Sequence, residues 1–200
     1  MSTKPHRTRN RLVVALATAA IVMAGGCSVP SVQQYPTPTS DSAPPPTLKY
    51  RLDAFATCAE IQRKAPDLPP PLAPQVSRSA TRLVSTCEFT ASAGAGPFIT
   101  FQVQAFGNEE DSAGAELAKT AFTAPSSSGA EKDTRLNLGS EARWPDRAGG
   151  AGCKLEVLDE NAVMTFTYSS GENDDDPRSE LCRESARDVT RKVFDAVQPQ

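Results

Sequence analysis

Apolar residues recur with two different periods along this chain, and the alternation between them maps its elements. In Phe98–Phe106, Ile99, Phe101, Val103 and Ala105 alternate with Thr100, Gln102 and Gln104, the period of a half-buried strand. Residues 83–90 also read as a strand, and 91–97, with two glycines, suit the hairpin turn between the two. Residues 153–158 and 162–168 predict a second hairpin around Asp159, Glu160 and Asn161, and a weaker strand is expected at 134–138. The helical period governs 177–197: behind Pro177, the residues Cys182, Ala186, Val189, Val193 and Val197 repeat every three or four positions. A short helix is predicted over 57–64, with Thr57 as cap and Glu60 three residues on. Another is predicted over 109–122, with acids at its start and Lys119 near its end. Residues 66–74 hold five prolines and 124–133 are rich in Ser and Gly, so both are loops. The resulting order is helix, two or three strands, helix, three strands, helix. It predicts an α+β fold: a mainly antiparallel sheet of about 5–6 strands with helices packed on one face.

The longest unbroken apolar run lies outside this pattern. Residues 12–24 are thirteen apolar or small residues without a charge, too short to cross a bilayer comfortably as a helix. Ahead of them stand Lys4, Arg7, Arg9 and Arg11 and no acid; behind them stand Gly25, Gly26 and Cys27. Basic, apolar and small-residue segments in that order make an export signal. Ala24-Gly25-Gly26-Cys27 resembles the bacterial lipobox, with Ala24 where Leu is usual. The resemblance implies cleavage before Cys27, diacylglycerol on its sulfur, and display on the outer face of the cell membrane. Residues 1–26 are then the signal peptide, 27–47 the lipidated cysteine and a tether, and 48–200 the extracytoplasmic domain. Arg7, Arg9 and Arg11 include no adjacent pair, which favours general secretion over the twin-arginine route. Six of the twenty residues 28–47 are proline, a composition that cannot build a core. Extended at about 3.1 Å per residue, this tether reaches about 60 Å.

Charge then narrows the function classes. The chain has 21 basic and 24 acidic residues; the four basic residues of the signal leave with it, so the mature part carries 17 against 24, a net of −7. Such a chain is unsuited to nucleic acid or to lying flat on anionic lipid. The sole histidine, His6, also leaves, which excludes Ser-His-Asp and Cys-His catalysis in the mature protein.

Four cysteines remain beside Cys27: Cys58, Cys87, Cys153 and Cys182. An even number in an oxidising compartment argues for two disulfides. Three pairings are open, and Cys58–Cys87 with Cys153–Cys182 is favoured, because each spans 29 residues and joins a predicted helix to a predicted strand of the same half. Closing such a loop is worth about 3.6 kcal/mol on the chain-entropy model. Zinc-binding cysteines come in closer pairs and redox sites in C-x-x-C; neither occurs, and no metal or cofactor is expected. The glycines are not placed for a phosphate loop. Carboxylates are the remaining catalytic reserve: Glu109, Glu110 and Asp111, and the run Glu172, Asn173, Asp174, Asp175 and Asp176. The run lacks the alternation, central glycine and distal Glu of a calcium loop and reads as a solvated acidic loop. Trp144, the only tryptophan, is flanked by Arg143 and Arg147. Trp144 and Arg143 are candidate partner-binding residues, although a single Trp more often closes one end of a core.

A tether, Cys58 opening a helix, and Cys87-Glu88-Phe89 entering an aromatic hairpin resemble the actinobacterial lipoproteins grouped as domain of unknown function 3558 (DUF3558). Gly152-Cys153-Lys154-Leu155-Glu156-Val157, the strand Met164-Thr165-Phe166-Thr167-Tyr168 and Cys182 opening the last helix are similar to LprB-like members of that family. Phe89 stands where members often have Trp. The resemblance covers most of the mature chain and implies an address and a fold, with no reaction. The expected function is therefore a lipid-anchored, non-catalytic surface domain that binds a protein partner, an envelope glycan or an apolar small molecule. The alternative is a carboxylate-dependent, histidine-independent envelope hydrolase. Two acids about 5–10 Å apart in a deep cleft favour the hydrolase. A large exposed apolar patch on a flat sheet favours a protein, and a lined cavity of several hundred Å³ favours a small ligand.

Overall fold

The computed structural model describes residues 45–91, 96–124, 129–146, 152–171 and 176–199. Cys27, Arg147, Glu172, Asn173, Asp174 and Asp175 lie outside the described residues. The elements are α1 (Cys58–Lys64), β1 (Gln75–Arg78), β2 (Arg82–Thr90), β3 (Phe98–Phe106), α2 (Gly114–Phe122), β4 (Glu131–Lys132), β5 (Glu141–Trp144), β6 (Cys153–Asp159), β7 (Ala162–Ser169) and α3 (Glu180–Val197). Seven strands form one sheet in the order β1-β2-β3-β7-β6-β5-β4, and every pairing is antiparallel. Two meanders, β1-β2-β3 and β4-β5-β6-β7, thus meet along β3 and β7, and α2 makes the connection between them.

Register decides which face carries the core. Cys87 opposes Phe101, Phe101 opposes Phe166, and Phe166 opposes Leu155, so these side chains project to one face. Ile99, Val103, Val157, Met164 and Phe89 share it, and all are essentially buried. The Phe101 and Phe166 rings stack at 5.1 Å between centroids. On this face lie α1 and α3. Ile61 of α1 and Ala186, Val189, Val193 and Val197 of α3 close the core over the sheet. Disulfides Cys58–Cys87 and Cys153–Cys182 fasten these two helices to β2 and β6, with Cα separations of 5.5 and 5.9 Å.

The third helix departs from the expected one-sided packing. Ala118 and Phe122 of α2 pack on Leu158, Phe106 and Val163, whose register places them on the opposite face. The cause is visible in β6, where Val157 and Leu158 are consecutive and both buried; the strand is covered on both sides there. The helix also starts later than 109. Glu109 and Ser112 bridge in a turn, and Asn108 Oδ1 accepts from the Gly114 amide at 2.9 Å, so the acids precede the helix. Gly114 itself permits a close approach to the Phe106 carbonyl that a Cβ would obstruct. Similarly, α3 is capped by Ser179, two residues beyond Pro177, whose hydroxyl accepts from Cys182 N at 3.2 Å. The capping box of α1 is complete in both directions.

Three strands differ from expectation. No strand occupies 134–138; the short β4 lies just before, because Asp133 turns the chain by accepting from the Arg135 and Leu136 amides. Strand β5 holds Trp144 in regular structure, and β1 adds a fully exposed edge.

Candidate functional site

Trp144 and Arg143 are adjacent in β5, so their side chains leave opposite faces of the sheet. The Trp144 indole is 4% exposed and its Nε1 donates to Asp133 at 2.7 Å. Arg183 and Arg187 of α3 lie over its ring, 4.9 and 5.3 Å from the centroid. Arg187 Nε also donates to Asp133 at 2.8 Å. On the other face, Arg143 pairs with Glu156 at 2.8 Å and stacks 3.7 Å over the Phe122 ring. Both residues therefore make internal contacts at the β5 end of the sheet. Glu109, Glu110, Asp111 and Asp176 are exposed. Among the described residues no group of three His, Cys, Asp or Glu side chains is placed to hold a metal.

A large concavity lies where the start and the end of the described domain meet. Its construction begins with Asn161 in the β6–β7 turn. Asn161 Oδ1 accepts from Tyr50 N, and its amide donates to the carbonyls of Tyr50 and Phe106. One buried side chain thus straps the segment ahead of α1 to the hairpin tip. The Tyr50 hydroxyl donates to Asp159, and Gln198, just past α3, donates to that hydroxyl at 2.9 Å. Burial, and then the Asp159 carboxylate, push the Tyr50 phenol well above its ordinary range. Lys49 reaches the same carboxylate at 2.6 Å.

Between this strap, α1 and the end of α3 opens a cleft of about 550 Å³, within the size range of small-molecule sites. Phe55, Ala54, Ala56, Val197 and Pro199 supply apolar surface; Lys49, Arg51, Arg63 and Lys64 supply cations. Phe55 is held by Tyr50 and Phe101, at 5.8 and 6.5 Å between ring centroids. Lys64 donates to the Ala196 carbonyl at 2.9 Å. The last turn of α3 has no basic residue of its own, so α1 supplies from outside the cation that a helix C-terminus favours. Among the described residues the only acid lining the cleft is Glu60, and its carboxylate accepts from both the amide and the hydroxyl of Thr57. Such a wall can grip an anion or an apolar body; among the described residues it offers no second carboxylate with which to divide acid and base roles.

The sequence did not single out these lining residues. Lys49-Tyr50-Arg51 and Arg63-Lys64 look like ordinary surface doublets until the fold brings the C-terminal end of α3 against them. No protein-family model matches the chain, and neither does a curated protein or a solved structure.

Proposed function

We propose that this chain is an exported lipoprotein of the DUF3558 type, acylated at Cys27. Its domain binds a small ligand non-catalytically on the outer face of the membrane. The observation that carries the binding part is the cleft of about 550 Å³ at the strap. Three independent elements wall it, and hydrogen bonds from Asn161, Tyr50 and Lys64 hold those elements in place before any ligand arrives. Preformed concavity of this size with few, well-fixed polar groups is the usual character of a ligand site. Of the exposed large apolar residues, Leu72 and Val76 lie along β2 while Phe98 and Leu181 stand on β3 and α3, and among the described residues no preformed hollow joins the four.

The test is direct. Protein extracted from its own membranes and examined by native mass spectrometry should carry a co-purifying small molecule. Ala54 lines the cleft from an exposed position, so Ala54→Trp should fill the site without entering the core, and the bound mass should disappear. Identical spectra for the two proteins would end this reading.

A further inference from the structure

The charges of the cleft wall run against the composition of the protein. The mature part has 17 basic and 24 acidic residues by the count above, yet four cations and one acid line the cleft. Their commitments differ. Lys49 is paired with Asp159, and Arg51 with Asp53 two residues on. Glu60 is used by Thr57. That leaves Lys64, bound to a neutral carbonyl, and Arg63, which among the described residues makes no hydrogen bond or ion pair. Counting Asp53, Asp159 and also Glu60, one helical turn before Arg63 and Lys64 and within reach of both charges, the wall keeps one net positive charge, shared by adjacent α1 positions. Facing them are Phe55, Ala54 and Val197.

We infer that the cleft takes an anionic amphiphile. Its oxyanion headgroup, a phosphate or carboxylate, sits against Arg63 with Lys64 beside it, and its apolar body lies on Phe55 and Val197. This rests on the cleft being the ligand site. A guanidinium presents a planar fork of donors that matches two oxyanion oxygens at once. The positive field is fixed in advance, since Lys64 is already held by the Ala196 carbonyl, and a concave wall concentrates it. Either a membrane lipid headgroup or a free solute provides this chemistry.

The experiment uses the mature chain with Cys27→Ser, a change outside the compact unit Ala43–Gln200. Calorimetry at low salt compares octyl phosphate, octyl glucoside and inorganic phosphate. Octyl phosphate should bind one to one, about tenfold or more tightly than octyl glucoside, and weaken as salt is added. Arg63→Gln should cost about tenfold for octyl phosphate, about 1.4 kcal/mol, while leaving octyl glucoside affinity and the melting temperature unchanged. Co-sedimentation with phosphatidylglycerol vesicles but not phosphatidylcholine vesicles, lost in Arg63→Gln, assigns the ligand to the bilayer. Octyl phosphate binding without sedimentation assigns it to a solute. Equal affinity for the two octyl probes, or octyl phosphate affinity indifferent to Arg63→Gln, overturns the inference. So does failure to bind octyl phosphate. In each case the cleft reading still stands unless Ala54→Trp also leaves the co-purifying molecule in place.

Discussion

At the scale of single residues, Asp133 shows how a buried charge is made tolerable. Its side chain is wholly buried, and burial alone would raise its carboxyl pKa. Arg187, and then the amides of Leu136 and Arg135, outweigh that and hold it below the usual carboxylate range. Trp144 Nε1 completes the set of donors. The folded pKa is thus depressed relative to about 3.9 in an unfolded chain. The stabilisation it represents is complete above about pH 4 and is lost as pH falls through the folded value. Asp133→Asn takes from the Arg187 guanidinium its buried carboxylate and leaves it only the exposed Glu180, and breaking a buried pair from one side costs about 3–5 kcal/mol. We expect the variant to be less stable at pH 7 by that order, and also to lose less on going from pH 5 to pH 3. Denaturant unfolding at both pH values checks the pair of outcomes; parallel acid losses in the two proteins would remove Asp133 as their source. Trp144 drew attention in the sequence through its rarity, whereas Asp133, one acid in a loop, gave no signal. The contact between them depends on β4 and β5 folding back together, which no local pattern records.

At the scale of elements, legibility follows length and one-sided burial. Strands β2, β3, β6 and β7 are seven to nine residues long and bury alternate positions, β6 as far as Val157, so their period stood out. Strand β1 is exposed at all four positions and β4 has two residues; neither contains a period to read. The cleft was illegible for a related reason, since its walls come from three segments that only the tertiary fold juxtaposes. The disulfides were legible because each closes a local helix–strand unit, and the pairing found is the favoured one. Their consequences should differ. With seven residues, α1 is too short to persist without tertiary support, whereas α3 has eighteen residues and an apolar stripe against the sheet. Either double Cys→Ala variant should lose about 2–5 kcal/mol. Hydrogen exchange should separate them: removing Cys58–Cys87 should deprotect the α1 amides locally and abolish retention of the cleft's occupant. Removing Cys153–Cys182 should lower protection globally while α3 remains helical. Equal local deprotection of the two helices would contradict this.

At the scale of the whole molecule, the two-meander sheet brings the start and the end of the domain together, through Tyr50 and Gln198, at the mouth of the cleft. The described chain therefore enters the domain beside the cleft, with Lys49 forming part of both strap and wall. A domain that needs its position near a membrane but not the membrane for its fold should tolerate loss of the anchor. Residues Ala43–Gln200 form a compact unit by themselves, and no described helix is long and apolar enough to cross a bilayer. Cys27→Ala should accordingly shift the protein from the membrane fraction to the soluble or signal-retained fraction. The melting temperature of its folded domain should stay within about 1 °C of that of the parent protein, as expected for a change outside the compact unit Ala43–Gln200. Mass spectrometry of the parent should find the lipid on an N-terminal Cys27. An intact, unmodified N-terminus in membranes would refute acylation. A Cys27→Ala domain that melts several degrees lower would show instead that the anchor contributes to the fold, and the two results are read from separate measurements on the same pair of proteins.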